Sequence, residues 1–441
     1  MQATDEIVKY DTPKQPSLSF VDAFAGCGGL SLGLMQAGWD GRFAVERDAF
    51  AFSTLKANLL SPKNPFRYSW PIWLRKEPLG VQELIDAHAG ELAALAGTID
   101  GLVGGPPCQG FSSAGRRKHD DPRNQLFASY LSLVELIQPK VVLIENVRGF
   151  TLDFDAKDEV KNFSQMLKAR LSGAYTVHEK LLNLSIFGVP QARTRYFVLA
   201  FRSDLQIPDP FARLVQRLPS FLRSLRLTAP VSASAAISDL EVGRCGARPS
   251  VDSKGFEEIA YAGPLTHYQR VMNAGTVSPT DLRLARHAPE IRERFSQIIQ
   301  ICQAEGRLNR SISAETRAQY GLKKLALRVL DPDRPSPTIT SMPDDLLHYA
   351  EPRTLTVREN ARLQSFPDWY SFQGKYTTGG NLRKKEVPRF TQVANAVPPL
   401  VARAIGETLA ELLNPQLMAA EGSNSSILNR VEQCPELSPQ A

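Results

Sequence analysis

Cys108 stands in GGPPCQGFSSAGRR, residues 104–117, behind two prolines and ahead of a glycine, two serines and two arginines. Pro106 and Pro107 restrict the backbone before the thiol, whereas Gly110 leaves the chain after it free to move. A thiol held this way suits nucleophilic catalysis, because a thiolate attacks well and also leaves well. The groups that could assist it lie downstream. Glu145 closes the apolar run PKVVLIENV, and Arg193 and Arg195 alternate in QARTRYF. Upstream, Gly26, Gly28 and Gly29 follow LSFVDA, and Glu46 closes RFAVE. A glycine loop with an acid at the end of the next strand is the pattern of a nucleotide-type cofactor cradle.

Elements able to position these residues are legible around them. Leu18 to Ala23 reads as a short buried strand, and Leu30, Leu34 and Ala37 repeat at helical spacing until Gly38. RFAVE, TIDGLVGG and PKVVLIENV read as further strands, the last an unbroken apolar run of the kind buried on both faces of a parallel sheet. Leu126, Tyr130, Leu133, Val134 and Ile137 form one face of a helix between the last two. YTVHEKLLN and RTRYFVLAF read as neighbouring strands added antiparallel. In an open, doubly wound sheet the parallel strands end on one side, where ligands bind. Glu46, the Cys108 loop and Glu145 are therefore expected in one crevice.

Sheet patterning fades at about 205 and resumes near 336. The stretch 206–335 is expected to be an inserted, loop-rich domain with one clear helix, PEIRERFSQIIQICQAEG. It holds 19 Lys and Arg against 13 Asp and Glu, which accounts for the whole formal charge of +6, and 16 of the cations are arginine. Arginine's planar fork matches phosphates and guanine edges, so a polyanionic partner is expected here. A closing helix is expected in QVANAVPPLVARAIGETLAELL, with a polar tail at 1–16 and a disordered one at 416–441.

Composition excludes several classes. No apolar run approaches the roughly 18 residues of a membrane span, and the polar N-terminus resembles neither a signal nor a transit peptide. A cytoplasmic protein is the expectation. The five cysteines include no CxxC pair, and the six histidines show no ligand spacing, so neither a disulfide framework nor a metal site is expected. Cys27, Cys245, Cys302 and Cys434 read as ordinary small apolar residues.

Taken in order, the motifs resemble the DNA (cytosine-5) methyltransferases of bacterial type. DAFAGCGGLSLG is similar to that family's S-adenosylmethionine loop, GGPPCQGFS to its nucleophile loop, and ENV to its acid. QARTRYF resembles the paired-arginine motif, RENARLQSFPD a structural motif, and QVANAVPP the segment that returns to the cofactor, with DPRNQLF a further cofactor-side segment. The resemblance implies an α/β fold: a doubly wound, Rossmann-like methyltransferase sheet at 17–205 and 336–415, with a smaller target-recognition domain at 206–335. It implies Cys108 as nucleophile, Glu145 as the acid at the cytosine ring, and Arg195 as donor to the base's 2-carbonyl oxygen. Arg193 would support the site or a phosphate. Phe24, Gly26, Gly28, Glu46, Leu126 and Asn395 would line the S-adenosylmethionine site. Ala394 and Arg47 depart from the family's usual glycine and aromatic, and no aspartate aligns near GVQELID, where Gln82 stands.

The implied reaction is methylation of carbon 5 of a flipped-out cytosine in double-stranded DNA through a cysteine adduct. The implied protein is a monomer with a companion restriction endonuclease and no membrane partner. A transfer RNA methyltransferase of the same family and an inactive DNA-binding regulator remain the alternative readings.

Overall fold

The computed structural model describes residues 17–106, 123–151, 163–276, 278–379, 382 and 385–414. Its centre is a six-stranded sheet of β1 (Ser19–Ala23), β2 (Asp40–Val45), β3 (Gly101–Gly104), β4 (Val141–Asn146), β5 (Tyr175–Asn183) and β7 (Thr194–Arg202), with the two-residue β6 (Gln191–Ala192) outside it. The spatial order is β2-β1-β3-β4-β7-β5. The first four strands run parallel, and β7 runs antiparallel to both β4 and β5. This is the expected sheet, and its one reversed strand matters for the site. Because β7 runs backwards, its first residues lie beside the last residues of β4, pairing Glu145 with Phe197 and Asn146 with Tyr196.

Alternation along the strands builds two cores. Val141, Leu143, Phe197, Leu199 and Phe201 face one side of the sheet. Val142, Ile144, Tyr196, Val198 and Ala200 face the other. The period of two is that of pleated strands buried on both faces. On the first side lie α1 (Gly29–Gln36) and α2 (Ala49–Leu59). The second side carries α3 (Val81–Ala93), α4 (Arg123–Ile137) and α5 (Phe163–Leu171). Tyr130, Leu133, Val134 and Ile137 of α4 are buried there, as the helical pattern predicts. Among the described residues no helix is long and apolar enough to cross a membrane.

The stretch 206–335 contains six helices rather than the one expected: α6 (Pro210–Ser224), α7 (Ala233–Ile237), α8 (Val242–Cys245), α9 (His267–Asn273), α10 (Pro289–Ala304) and α11 (Ala314–Gln319). Its packing also divides. Phe211, Leu214 and Phe221 of α6, Ala236 of α7 and Met272 of α9 join the first core of the sheet. Leu240, Ile259 and Leu282 form a small separate core beside the hairpin of β8 (Ala247–Pro249) and β9 (Glu257–Ile259). Phe295, Ile298, Ile299 and Cys302 of α10 form another with Ile312, Leu327, Val329 and Leu347. The first part of the stretch, α6 and α7, thus packs with the sheet. Pro219 and the arginines mask α6 in the sequence, although its apolar face is what docks it.

Chain return is by β10 (Arg328–Val329), β11 (Ser336–Pro337), β12 (Leu346–Leu347), α12 (Val357–Leu363), α13 (Arg389–Asn395) and α14 (Pro399–Leu413). The expected closing helix is thus two helices, with α14 opening on Pro398 as N-cap and Pro399 inside its first turn. Arg213 and Arg217 of α6 pair with Glu411 of α14. α12 buries Arg358 and Arg362 completely. Arg362 pairs with Asp239 at 3.1 Å and with Asp368, and Arg358 donates to Thr280 O, Pro367 O and Tyr370 O.

α14 lies against α1 so closely that Gly33 has no room for a side chain. A Cβ there would collide with Ala402 Cβ and Pro399 O and stand 2.7 Å from Arg403 N. Gly33→Ala should therefore overpack this contact and lower stability by about 1–3 kcal/mol. Urea unfolding reads the effect, and an unchanged midpoint would show that α14 can step away freely.

Candidate active site at the carboxyl ends of the parallel strands

Between β1 and α1 the chain turns through left-handed conformations at Phe24 (φ 62°), Gly26 (φ 57°) and Gly28 (φ 91°). Phe24 adopts a region that non-glycine residues rarely visit. The two glycines serve different ends. A Cβ at Gly26 would meet nothing within 4 Å, so this residue borders open space. One at Gly28 would lie 2.8 Å from Tyr370 Oη and 2.9 Å from Leu59 Cδ1, so Gly28 faces the interior. Gly28 is therefore required by packing, whatever its backbone does toward the cofactor.

Glu46 follows β2 and ties this turn down. Its Oε2 accepts the Gly26 N–H at 2.9 Å and its Oε1 the Asp48 N–H at 2.7 Å. Burial raises the Glu46 carboxyl above its ordinary value, while these two N–H groups pull it back. Asp48, a residue that sequence reasoning passed over, is a hub. Its Oδ1 caps α2 through Phe50 N and Ala51 N at 2.9 Å each, and its Oδ2 accepts Val387 N–H at 3.0 Å. The cap is legible in the sequence as an aspartate before a helical run. The partner 339 residues away is not.

Glu145 is 8% exposed at the end of β4. Arg195 Nε stands 3.0 Å from its Oε1, at an angle that leaves Oε1 without a hydrogen bond. The loop that leads to Cys108 starts against this carboxylate, since a Cβ at Gly105 would lie 3.6 Å from Glu145 Oε2. Asn146 anchors the same loop by donating to Pro106 O at 3.2 Å, a role that sequence reasoning missed. Cys108 itself, with Arg116 and Arg117, lies outside the described residues. Among the described cysteines, burial pushes the thiols of Cys27 and Cys302 up to about 12 and about 11. Neither is disposed to form the thiolate that nucleophilic attack needs.

Arg193 and Arg195 go opposite ways. Arg193 is buried and donates to Ala394 O at 2.6 Å, so it positions the last turn of α13. That bond gives Arg193 the first of its two expected roles, support of the site. Gln364 supports that segment too, donating to Val393 O at 2.8 Å. Asn395 is exposed at the end of α13, and Leu126 is half-buried near the start of α4. Gln82 spends its amide on Asp86 and on Ser129.

Known proteins match this chain along nearly all of its length. The family model described as C-5 cytosine-specific DNA methylase covers residues 18–411. The type II methyltransferase M.DdeI of Desulfomicrobium norvegicum is 31% identical over 429 residues, spanning 94% of each chain. M.XorII of Xanthomonas oryzae, also a type II methyltransferase, is 30% identical over 436 residues, 92% of this chain and 89% of its own. Among solved structures, one assigned to a prophage-encoded DNA modification methyltransferase of Escherichia coli superposes with a TM-score of 0.60 at 26% identity. It covers 90% of this chain and all of that one.

Beneath the turn, Asp22 is wholly buried; Ser31 donates to its Oδ2, and its Oδ1 has no hydrogen-bond partner. Burial pushes its carboxyl from 3.8 up to about 7; the Ser31 hydroxyl opposes this and the Glu46 charge adds to it. The folded protein thus holds a proton that the unfolded chain releases, so stability should fall as pH rises from about 4 to about 7. Asp22→Asn should flatten that slope relative to the parent in urea unfolding at several pH values. Parallel curves would mean that Asp22 is ionised throughout.

Proposed function

The chain belongs to the C-5 cytosine-specific DNA methylases, and from that premise we propose how its residues divide the reaction. It transfers a methyl group to carbon 5 of cytosine in DNA at the expense of S-adenosylmethionine. The observation that carries the assignment of roles is the meeting of Glu145, Arg195 and the start of the Cys108 loop at the end of β4.

Carbon 5 of cytosine is too electron-poor to take a methyl group unaided. The Cys108 thiolate adds to carbon 6 while Glu145 gives a proton or a strong hydrogen bond to ring nitrogen 3, which leaves carbon 5 as an enamine-like nucleophile. Arg195 donates to the 2-carbonyl oxygen and, from 3.0 Å, also fixes the Glu145 carboxyl. After transfer a base removes the carbon 5 proton, the ring double bond re-forms, and the thiolate leaves. Attack on carbon 6 comes perpendicular to the ring, so the cytosine must first leave the base stack.

The turn at 24–28 fits the cofactor. Open space beside Gly26 admits a ligand, and Glu46, anchored by two backbone N–H groups, keeps lone pairs for ribose hydroxyls. Bound there, S-adenosylmethionine supplies a methyl group activated by a positively charged sulfur. Phe24, Leu126 and Asn395 complete the lining, with Gly28 shaping the turn from behind. The separate cores within 240–330 support a target-reading domain there, acting on double-stranded DNA. The enzyme is read as a cytoplasmic monomer, and its likeness to proteins named type II methyltransferases supports a modification role beside a possible companion endonuclease.

Duplex DNA carrying 5-fluorocytosine at the target tests the nucleophile, since fluorine cannot leave as a proton. The protein should be trapped covalently, and Cys108→Ala should abolish trapping while keeping S-adenosylmethionine affinity by calorimetry. Trapping that survives the substitution refutes the role. Glu145→Gln keeps the shape but lacks the transferable proton, so single-turnover methylation should slow by ~100-fold or more. Near-normal turnover would remove Glu145 from the chemistry.

A further inference from the structure

A second binding feature lies beside β6, whose Ala192 precedes Arg195 by three residues. An open pocket of about 450 Å³ is lined by Arg310 and Arg328, with Asn309, Ser311, Thr338 and Ala192 among its walls. We propose that this pocket grips a phosphate of the DNA backbone beside the target cytosine, with Arg310 and Arg328 as its two cationic donors. The proposal rests on the reading of the chain as a DNA cytosine methylase.

Three observations carry it. The first is charge. Many arginines of 206–335 are already engaged: Arg213 and Arg217 with Glu411, Arg248 with Glu258 at 2.9 Å, and Arg334 with Asp331 at 3.7 Å. Arg283 is stacked on Tyr376, 3.6 Å from the ring centre. Arg310 is exposed and Arg328 half-buried, and among the described residues no carboxylate lies within 4.0 Å of either guanidinium. No carboxylate lines the pocket either. Two guanidinium groups lining one pocket without a counter-charge favour an anion between them.

The second is rigidity. β11 pairs with β6, matching Ser336 to Gln191 and Pro337 to Ala192, and Thr338 Oγ1 donates to Ala192 O at 3.4 Å. Asn309 knits the opposite wall: its N–H goes to Val329 O at 2.7 Å, its Nδ2 to Pro335 O at 3.0 Å, and its Oδ1 accepts Asp331 N–H at 3.0 Å. Ser311 bridges to Arg328 across an antiparallel contact. The backbone that carries the two arginines is thus fixed before any ligand arrives.

The third is position and lining. Ala192 is three residues from Arg195, at most about 10 Å along an extended chain. That is the scale of neighbouring phosphates around one nucleotide. The lining has guanidinium, hydroxyl and amide groups but no aromatic ring on which a base could stack. It suits a phosphodiester rather than a base.

The test is duplex binding by fluorescence anisotropy over a range of salt, with Arg310→Ala, Arg328→Ala and the double variant. Each released phosphate contact should lower the slope of log affinity against log salt by about 0.9. Each single variant should also weaken binding by at least about tenfold. The loss should be equal on target and unrelated duplexes, with S-adenosylmethionine affinity unchanged, and Arg328→Lys should restore the slope. A double variant with the parent's slope overturns the proposal. So does a loss confined to the target sequence, which would make these arginines base readers. Should the double variant melt early, Ala192→Glu at the exposed wall replaces it, placing a carboxylate where the phosphate would sit. Undiminished binding by that variant overturns the proposal equally. If the parent itself neither methylates cytosine nor binds duplex in a salt-dependent way, the methylase reading fails, not the pocket.

Discussion

Two arginines buried in α12 set the frame on which everything else hangs. A guanidinium taken out of water is strongly unfavourable unless its charge and its N–H groups are all answered. Arg362 is answered by Asp239 and Asp368 together with Ala236 O, and Arg358 by Thr280 O, Pro367 O and Tyr370 O. Burial alone would raise the Asp368 carboxyl, but Arg362 and Arg358 hold it below its ordinary value. Asp239 and Thr280 come from the inserted stretch, Pro367 and Tyr370 from the returning chain. The same few bonds therefore fasten the insert to the returning chain. Removing either partner would strand a charge in the interior, which is why such pairs specify one arrangement.

The site depends on that frame in a graded way. Glu46 and Glu145 need only their own strands to reach the carboxyl edge, because parallel strands end together. Arg195 needs the reversed β7, which brings its start to the end of β4. Asn395 needs more: the returning chain must lie beside β1, held by Arg193 and Gln364 through the carbonyls of Ala394 and Val393. Gly33 and Gly28 make that return possible by omission, since α14 and Tyr370 occupy the space that side chains would fill.

The insert shows where composition misleads. Arginine, proline and serine mark 206–335 as one region, yet α6 and α7 belong to the core of the sheet, and only the later part builds cores of its own. Charged residues on the outer face of an amphipathic helix dominate a count, whereas its inner face decides where it packs. Some of the same arginines lock elements together, as Arg213 and Arg217 do, while Arg310 and Arg328 line the pocket beside β6.

Sequence alone determined the strands of the sheet and most of the helices against it, and it singled out the residues proposed to carry chemistry. Period-two and period-3.6 patterns, the glycine turn, the strand-end acids and the order of the motifs are all local, and each survives in the structure wherever the residues are described. Tertiary structure decided what the pattern could not. Arg193 and Arg195 are alike on the strand, but one meets a carbonyl 201 residues away and the other a carboxylate at 3.0 Å. Gly26 and Gly28 are alike in the turn, but only Gly26 borders open space. Asp48 is a plain helix cap until Val387 arrives. The reason is physical. Local periodicity tells which way a side chain points, but its partner comes from a distant part of the chain, and only packing of the whole brings the two together.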